Sequence, residues 1–406
     1  MVIRHEYLNQ LLTWKDEQVI KVVTGIRRCG KSTLLQQFRD RLLQQGISRE
    51  QIISINFEDM DYEELLDYKA LYAYIAEHLC PDKTTYILLD EIQKVASFQK
   101  AVDSLFIKPN TDIYLTGSNA YLLSGDSATL LTGRYVEISM LPLSFAEYAE
   151  CCSESGERAL AEYMRFGGFP YLSQTENTVE KADTYLEGIY NTVVVKDIED
   201  RQTRKSSDPN KRKITDITLL KTIARYLSSV IGSPVSVKNV SDYLVSSGRK
   251  VSPNTVDDYM EALRESFIFY PVERFDINGK QVLKTNRKWY IVDLGLRNHI
   301  LPKKQYDIGF SLENIVFFEL LRRGYNVNIG KNGESEIDFV AHKQGILYYY
   351  QVTADMTNEG TFNREIGPLQ SVKDNYEKII LTLDHITPGN YDGIKVINLL
   401  DWLTEK

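Results

Sequence analysis

The chain has 406 residues, which at about 150 residues per domain predicts two or three domains. Hydrophobic residues make up 43% and charged residues 26%, with only 23 glycines and 11 prolines, so a disordered, collagen-like or low-complexity chain is excluded. The 48 basic and 56 acidic side chains leave a net charge of -8, which disfavours indiscriminate binding to nucleic acid or anionic membrane and confines any such contact to a local patch.

In chain order, a short N-terminal helix precedes an apolar strand, Val19–Thr24, that runs into GIRRCGKST and then into a helical period through Leu34, Leu35, Phe38 and Leu42. A second buried-strand pattern begins at Ile52, and helix-rich sequence follows from Glu63 to Leu79. The strand Tyr86–Leu89 ends in Asp90-Glu91, the strand Ile113–Thr116 ends in Gly117-Ser118-Asn119, and Tyr135–Ser139 reads as one more. Strands alternating with helices indicate a parallel α/β sheet, expected over residues 1–141. Residues 142–200 become helical around Gly167-Gly168-Phe169-Pro170 and are expected to form a lid. Residues 201–213 are a polar, basic linker. Three helical patterns and two β-like segments around Asn278-Gly279 then suit a winged helix over 214–295, and mixed α/β character returns over 296–406.

Four cysteines, Cys29, Cys80, Cys151 and Cys152, are too few and too irregular for a zinc ribbon or a disulfide framework, and read as reduced thiols. The N-terminal stretch has no continuous apolar segment, and no later run approaches the ~20 apolar residues of a membrane span. The expected location is the cytoplasm, with no membrane partner.

The segment Gly25-Ile26-Arg27-Arg28-Cys29-Gly30-Lys31-Ser32 satisfies G-x-x-x-x-G-K-[ST] between a strand and a helix, as a phosphate-binding loop demands. Glycines let the backbone wrap phosphates, Lys31 reaches the β and γ oxygens, Ser32 ligates Mg²⁺, and Thr33 supports the α-phosphate. The strand ending in Asp90-Glu91 complements it: Asp90 can join the Mg²⁺ shell and Glu91 can polarise the attacking water. Asn119 is a candidate to orient that water, and Arg134 a candidate to stabilise the transferring γ-phosphoryl group within the chain or across a subunit boundary. No Asn-Lys-x-Asp guanine signature follows, which favours ATP over GTP.

The combination GIRRCGKSTLLQQF, YILLDEIQ, YLTGSNAYLLSG, LTGRYVEISMLPLSFAEY and GGFP, continued by Trp289–Leu296 and Leu312-Glu313-Asn314, resembles a large prokaryotic family of AAA-type ATPases. The resemblance implies an ATP-binding core with Lys31, Asp90 and Glu91 in the usual roles, Asn119 as sensor and Arg134 as a possible finger. It also implies a winged-helix segment and a C-terminal domain of unclear function with a restriction-endonuclease-like fold. In that last domain Glu313, Glu336-Ile337-Asp338 and Gln351-Val352-Thr353 follow the order of a nuclease pattern, but the lysine position is Thr353 and Gln351 is neutral, which makes metal-dependent cleavage doubtful.

The third helix of the winged-helix segment opens at Ser252-Pro253 and exposes Asp257, Asp258, Glu261 and Glu265 against Arg264, a surface that phosphates would repel. Better contacts to DNA are the wing, with Lys280, Lys284, Arg287 and Lys288, and the linker, with Arg201, Arg204, Lys205, Lys211, Arg212 and Lys213. The expectation is an α/β, Mg²⁺-dependent ATPase that self-associates and couples turnover to its C-terminal domains, with DNA as a possible partner. The alternative is a nucleotide-gated module that recruits a protein.

Overall fold

The computed structural model describes residues 2–118, 131, 133–174, 178–193, 216–301 and 308–405, the side chains at 284 and 285 excepted. Asn119, the basic linker and the Lys284 side chain therefore lie outside the described residues. Two compact units form, Met1–Pro142 with Glu265–Phe267, and Leu143–Arg264 with Ile268–Lys406.

In the first unit β1 (Ile20–Thr24), β2 (Ile52–Asn56), β3 (Thr85–Asp90), β4 (Thr111–Gly117) and β5 (Tyr135–Ser139) build a parallel sheet in the order β2-β3-β4-β1-β5. Every residue of β1 and β3 is buried. Helices on both faces of a parallel sheet require this, and it is why these strands read as unbroken apolar runs. Edge strand β2 alternates instead. The helices are α1 (His5–Thr13), α2 (Lys31–Gln44), α3 (Tyr68–Glu77) and α4 (Phe98–Phe106). Asp67 starts α3 by accepting the Lys69 N–H at 2.9 Å, which satisfies an end donor that has no partner within the helix. α4 turns Phe98, Ala101, Val102 and Leu105 inward at helical spacing, onto the core that contains Ile87, Leu89, Ile113 and Leu115. Phe98, Val102 and Leu105 each contribute about 1.5–3 kcal/mol on burial. With all strands parallel, the C-terminal ends of β3, β4 and β1 lie side by side on one edge, and β4 is the middle of the three.

The second unit starts with α5 (Phe145–Ala149), α6 (Gly156–Phe166), α7 (Pro170–Ser173) and α8 (Val179–Asn191). Next come α9 (Ile217–Ser229), β6 (Pro234–Val235), α10 (Val237–Ser246), α11 (Pro253–Glu265), β7 (Phe269–Asp276), β8 (Gln281–Ile291) and α12 (Leu294–Ile300). The last part holds α13 (Ile308–Arg322), β9 (Asn326–Asn332), β10 (Ser335–Lys343), β11 (Ile346–Thr353), α14 (Glu359–Ser371), β12 (Glu377–Thr382), β13 (Gly389–Tyr391), β14 (Ile394–Asn398) and α15 (Leu399–Thr404). A single nine-stranded mixed sheet runs β13-β14-β12-β11-β10-β9-β7-β8-β6. The β7–β8 hairpin, which the sequence pattern assigns to a separate 214–295 segment, is hydrogen-bonded into the C-terminal sheet, with β7 parallel to β9 at Arg274 opposite Ile329. Within 214–295 the hairpin has only the two-residue β6 beside β8, and without β9 the β7 edge would be unpaired. No sheet boundary therefore falls at 295/296.

Two sequence motifs interlock inside this unit. The buried Asp293 carboxylate accepts the N–H of Gly168 at 2.6 Å and of Leu296 at 2.9 Å. A Cβ at Gly167 would overlap that carboxylate, and one at Gly295 would overlap the Phe166 carbonyl. The GGFP loop and the VDLGL turn are thus a packing joint, and glycine is required by close approach rather than by chemistry.

Candidate functional site

The phosphate-loop motif leaves β1 at Thr24 and enters α2 at Lys31. Gly25 and Gly30 hold φ of 143° and 106°, and Arg28 holds 70°, left-handed backbone that turns the chain back on itself. A Cβ at Gly25 would overlap the Met140 carbonyl oxygen at the end of β5. Behind the loop, the buried Arg4 guanidinium donates to the Cys29 carbonyl at 3.1 Å and to the Leu141 carbonyl at 2.9 Å. The sequence reading missed this brace, because an arginine in an N-terminal helix cap has no local signal. The Lys31 ammonium folds over the loop and donates to the carbonyls of Gly25 at 3.0 Å and Ile26 at 3.2 Å. Arg27 reaches Glu58 at 3.4 Å, while Arg28 is exposed.

Asp90 ends β3 and Glu91 follows it, and both are buried, at 6% exposure each. Burial pushes the Asp90 carboxyl up and the Glu91 charge adds to this, while hydroxyls of Thr116 and Ser32 and the Lys31 ammonium pull it down. Thus Lys31, Ser32 and Asp90 are brought together from two strand ends, as the motifs require. Glu91 holds φ of 54°, its N–H donates to the Thr116 hydroxyl at 2.9 Å, and its carboxylate accepts from Gln93 and, at 3.3 Å, from Ser118. The motifs give Thr116, Gln93 and Ser118 no role, although each stands within three residues of Glu91 or Asn119 in the sequence.

A cationic glycine loop opening a helix, beside a buried carboxylate and a hydroxyl, matches the donor set for a nucleoside phosphate and a hard divalent ion. The desolvated Asp90 is the observation that favours the ion, because a buried carboxylate is stabilised by added positive charge.

Arg134 is not part of this arrangement within the chain. Its carbonyl accepts the Ile20 N–H at 2.8 Å, one residue before Tyr135 pairs with Ile20 at the start of β1. It therefore sits at the opposite end of the sheet, about 16 Å along the strand direction from Gly25 at ~3.3 Å per residue. Its guanidinium is bonded to Asp103 and lies 5.7 Å from the Phe106 ring.

In the second unit, the nuclease-pattern residues do gather. Tyr290 donates to Glu313 at 3.3 Å, Asp338 accepts the Val352 N–H at 2.8 Å, and the Gln351 amide donates to Glu365 at 2.9 Å. A register shift between Ile337 and Val340 re-aims Asp338. The surprise is Lys288. Rather than projecting from a wing, it is 3% exposed, with its ammonium 2.7 Å from Glu336 and 3.5 Å from Glu313. Burial alone would lower the Lys288 pKa, but Glu313, Asp338 and Glu336 outweigh it and raise it. Burial pushes Asp338 well up, with Glu313 adding to it, and pushes Glu313 up as well. The Lys288 ammonium is already paired with the Glu313 and Glu336 carboxylates, so a divalent ion would have to displace it to use them. Among the described residues, no group of three or more His, Cys, Asp or Glu could hold a metal. The neighbouring Arg287 is likewise engaged, by Glu273 at 3.1 Å, and Arg264 by Glu261 at 2.9 Å. Of the wing cations, Lys280 is exposed.

The comparisons with known proteins follow this division. Residues 17–149 match the model of an AAA domain, and residues 157–307 that of a domain of unknown function. An uncharacterized protein of Haemophilus influenzae is 41% identical over 411 residues, covering 100% of this chain and 99% of that protein. One of Methanocaldococcus jannaschii is 28% identical over 413 residues, covering 95% and 83%. Among solved structures, a Walker-type ATPase of Pyrococcus abyssi aligns with a TM-score of 0.46 and 16% identity over 74% of this chain and 96% of that one. AMPPCP-bound DnaA of Aquifex aeolicus aligns with a TM-score of 0.28 and 14% identity over 65% and 90%. No described helix is long and apolar enough to cross a membrane. The chain belongs to one family with the Haemophilus influenzae protein, and residues 17–149, which carry the phosphate-loop motif, match an AAA domain.

Proposed function

We propose that this protein hydrolyses ATP in its first unit and uses the turnover to change what its second unit binds. The observation that supports this best is the convergence of Lys31, Ser32, Asp90 and Glu91 on one sheet edge, inside an AAA domain. Ser32 and Asp90 would hold Mg²⁺, which supplies charge neutralisation at the phosphates. On nucleotide binding Lys31 exchanges its bonds to the Gly25 and Ile26 carbonyls for phosphate oxygens. Glu91 then accepts a proton from the attacking water as its oxygen bonds the γ-phosphorus. The bond to the β–γ bridging oxygen breaks, and ADP leaves with the electron pair. The tethering of Glu91 by Ser118 and Gln93 favours its role as this base, since a carboxylate must be aimed before it can act. Asn119 is proposed as a second orienting group.

Arg134 is proposed to act across a subunit boundary. Its place at the far end of the sheet favours contact with a neighbouring copy's nucleotide over its own, and so favours a homo-oligomer.

A second reading, in which the output is protein recruitment without nucleic acid, is favoured by the internal pairing of Arg264, Arg287 and Lys288 and by the acidic exposed face of α11. A DNA contact would rest on Lys280, Lys284 and the 201–213 linker. Phosphate release from ATP with and without single- and double-stranded DNA, with Lys31→Ala as the blank, separates the two. Stimulation by DNA, lost as salt rises, would establish nucleic acid as the partner. Unchanged turnover would direct the search to proteins.

A further inference from the structure

We propose that Thr116 is the positioning residue of the ATP site, with one hydroxyl that sets both carboxylates. The inference rests on the ATPase reading above.

β4 lies between β3 and β1, so its C-terminal end is one strand spacing, ~4.8 Å, from both the Asp90-Glu91 strand and the strand that feeds the phosphate loop. Leu89 pairs with Leu115, so the next residue on each strand brings Thr116 beside Asp90. Thr116 is fully buried, and a β-branched side chain in a strand has little rotamer freedom to lose. A hydroxyl has one proton and can accept through its lone pairs. Here the proton goes to Asp90 Oδ1, and a lone pair receives the Glu91 N–H at 2.9 Å. Both halves of the hydroxyl are thereby committed, to adjacent residues with different duties.

The Glu91 bond also opposes strain. A left-handed φ of 54° at a non-glycine residue is strained and persists only where surrounding groups fix it. Relaxing that backbone would swing the Glu91 side chain away from Ser118 and Gln93. Meanwhile the bond to Asp90 fixes which way that carboxylate faces. A hydrophobic residue of the same shape at 116 would keep the packing and lose both effects.

The test compares Thr116→Val, Thr116→Ser and Thr116→Ala in the full chain. Two readouts are used: ATP turnover, and the Mg²⁺ concentration that half-saturates binding of a fluorescent ATP analogue. We expect Thr116→Val to bind the analogue without metal as tightly as wild type, to need about 10-fold more Mg²⁺, and to turn over about 10- to 100-fold more slowly. Thr116→Ser, which restores the hydroxyl, should return both within about 3-fold. If Thr116→Val does not fold, Thr116→Ala supplies the same comparison. A hydroxyl-free variant with wild-type Mg²⁺ dependence, or a Ser variant as impaired as Val, would overturn the assignment. Should wild type bind nucleotide yet not hydrolyse it, the ATPase reading fails while the Mg²⁺ dependence still decides the role of Thr116.

Discussion

Replacing Lys288 by methionine tests whether the second unit is held by an internal cation. Methionine keeps the length of the side chain and removes the charge, leaving Glu313 and Glu336 without the ammonium that lies 3.5 and 2.7 Å away. Breaking one partner of a buried ion pair costs about 3–5 kcal/mol. Glu336 is a third exposed and therefore screened, while Glu313 is 11% exposed, so we expect the low end, about 3 kcal/mol at pH 8. The sign of the pH dependence is fixed. Glu313 and Asp338 already have raised folded-state values, and Lys288 holds both down. A raised carboxyl stabilises the fold below its unfolded value and withdraws that stability as pH rises through the folded value. Removing Lys288 raises them further, so the variant's deficit grows from pH 5 to pH 8. Urea unfolding followed by tryptophan fluorescence suits the measurement, because Trp289 and Trp402 are both buried in the second unit. A loss below about 1 kcal/mol at pH 8, or one that does not change with pH, would refute the reasoning.

Three further outcomes are expected. Asp293 is pushed up to about 6 by burial, against the pull of the Gly168, Leu296 and Gly295 N–H groups. The second unit should therefore lose roughly 2 kcal/mol as pH rises from 4 to 6.5, and Asp293→Asn should flatten that slope in the same unfolding assay. Gly25→Ala should abolish nucleotide binding in a fluorescence titration, since the added Cβ meets the Met140 carbonyl and the φ is left-handed. Arg134→Ala should lose turnover by itself, but mixing it with Lys31→Ala should regain a fraction of activity if the arginine acts on a neighbour's nucleotide. No recovery on mixing would contradict action in trans.

The first unit was legible because its function constrains local sequence. A buried parallel strand must be apolar along its length, and a phosphate loop must place glycine where φ is positive, so β1, β3, Gly25, Gly30, Lys31, Asp90 and Glu91 announce themselves. Thr116 and Arg4 did not, because what matters about them is which strand lies between which, or which carbonyl is three dimensions away. The second unit was harder. The helices around Ser252–Glu265 and the strands at β10, β11 and β12 were readable from periodicity, yet the pairing of β7 with β9 is non-local and leaves no period in the chain. Lys288 shows the same limit from the side of charge. A lysine in a basic run, NRK, looks solvated, and only the fold reveals the carboxylates of Glu313 and Glu336 around it. Likewise nothing local in GGFP shows that Gly167 makes room for the Asp293 carboxylate and Gly168 for the Leu143 carbonyl.

The central claim is that one sheet edge binds and hydrolyses ATP. Its most direct test is steady-state phosphate release with Mg²⁺, alongside equilibrium ATP binding, for wild type, Lys31→Ala and Glu91→Gln. The account predicts turnover in wild type, loss of both binding and turnover in Lys31→Ala, and unchanged binding with turnover reduced about 100-fold or more in Glu91→Gln. Full turnover in either variant, or none in the wild type, would contradict it.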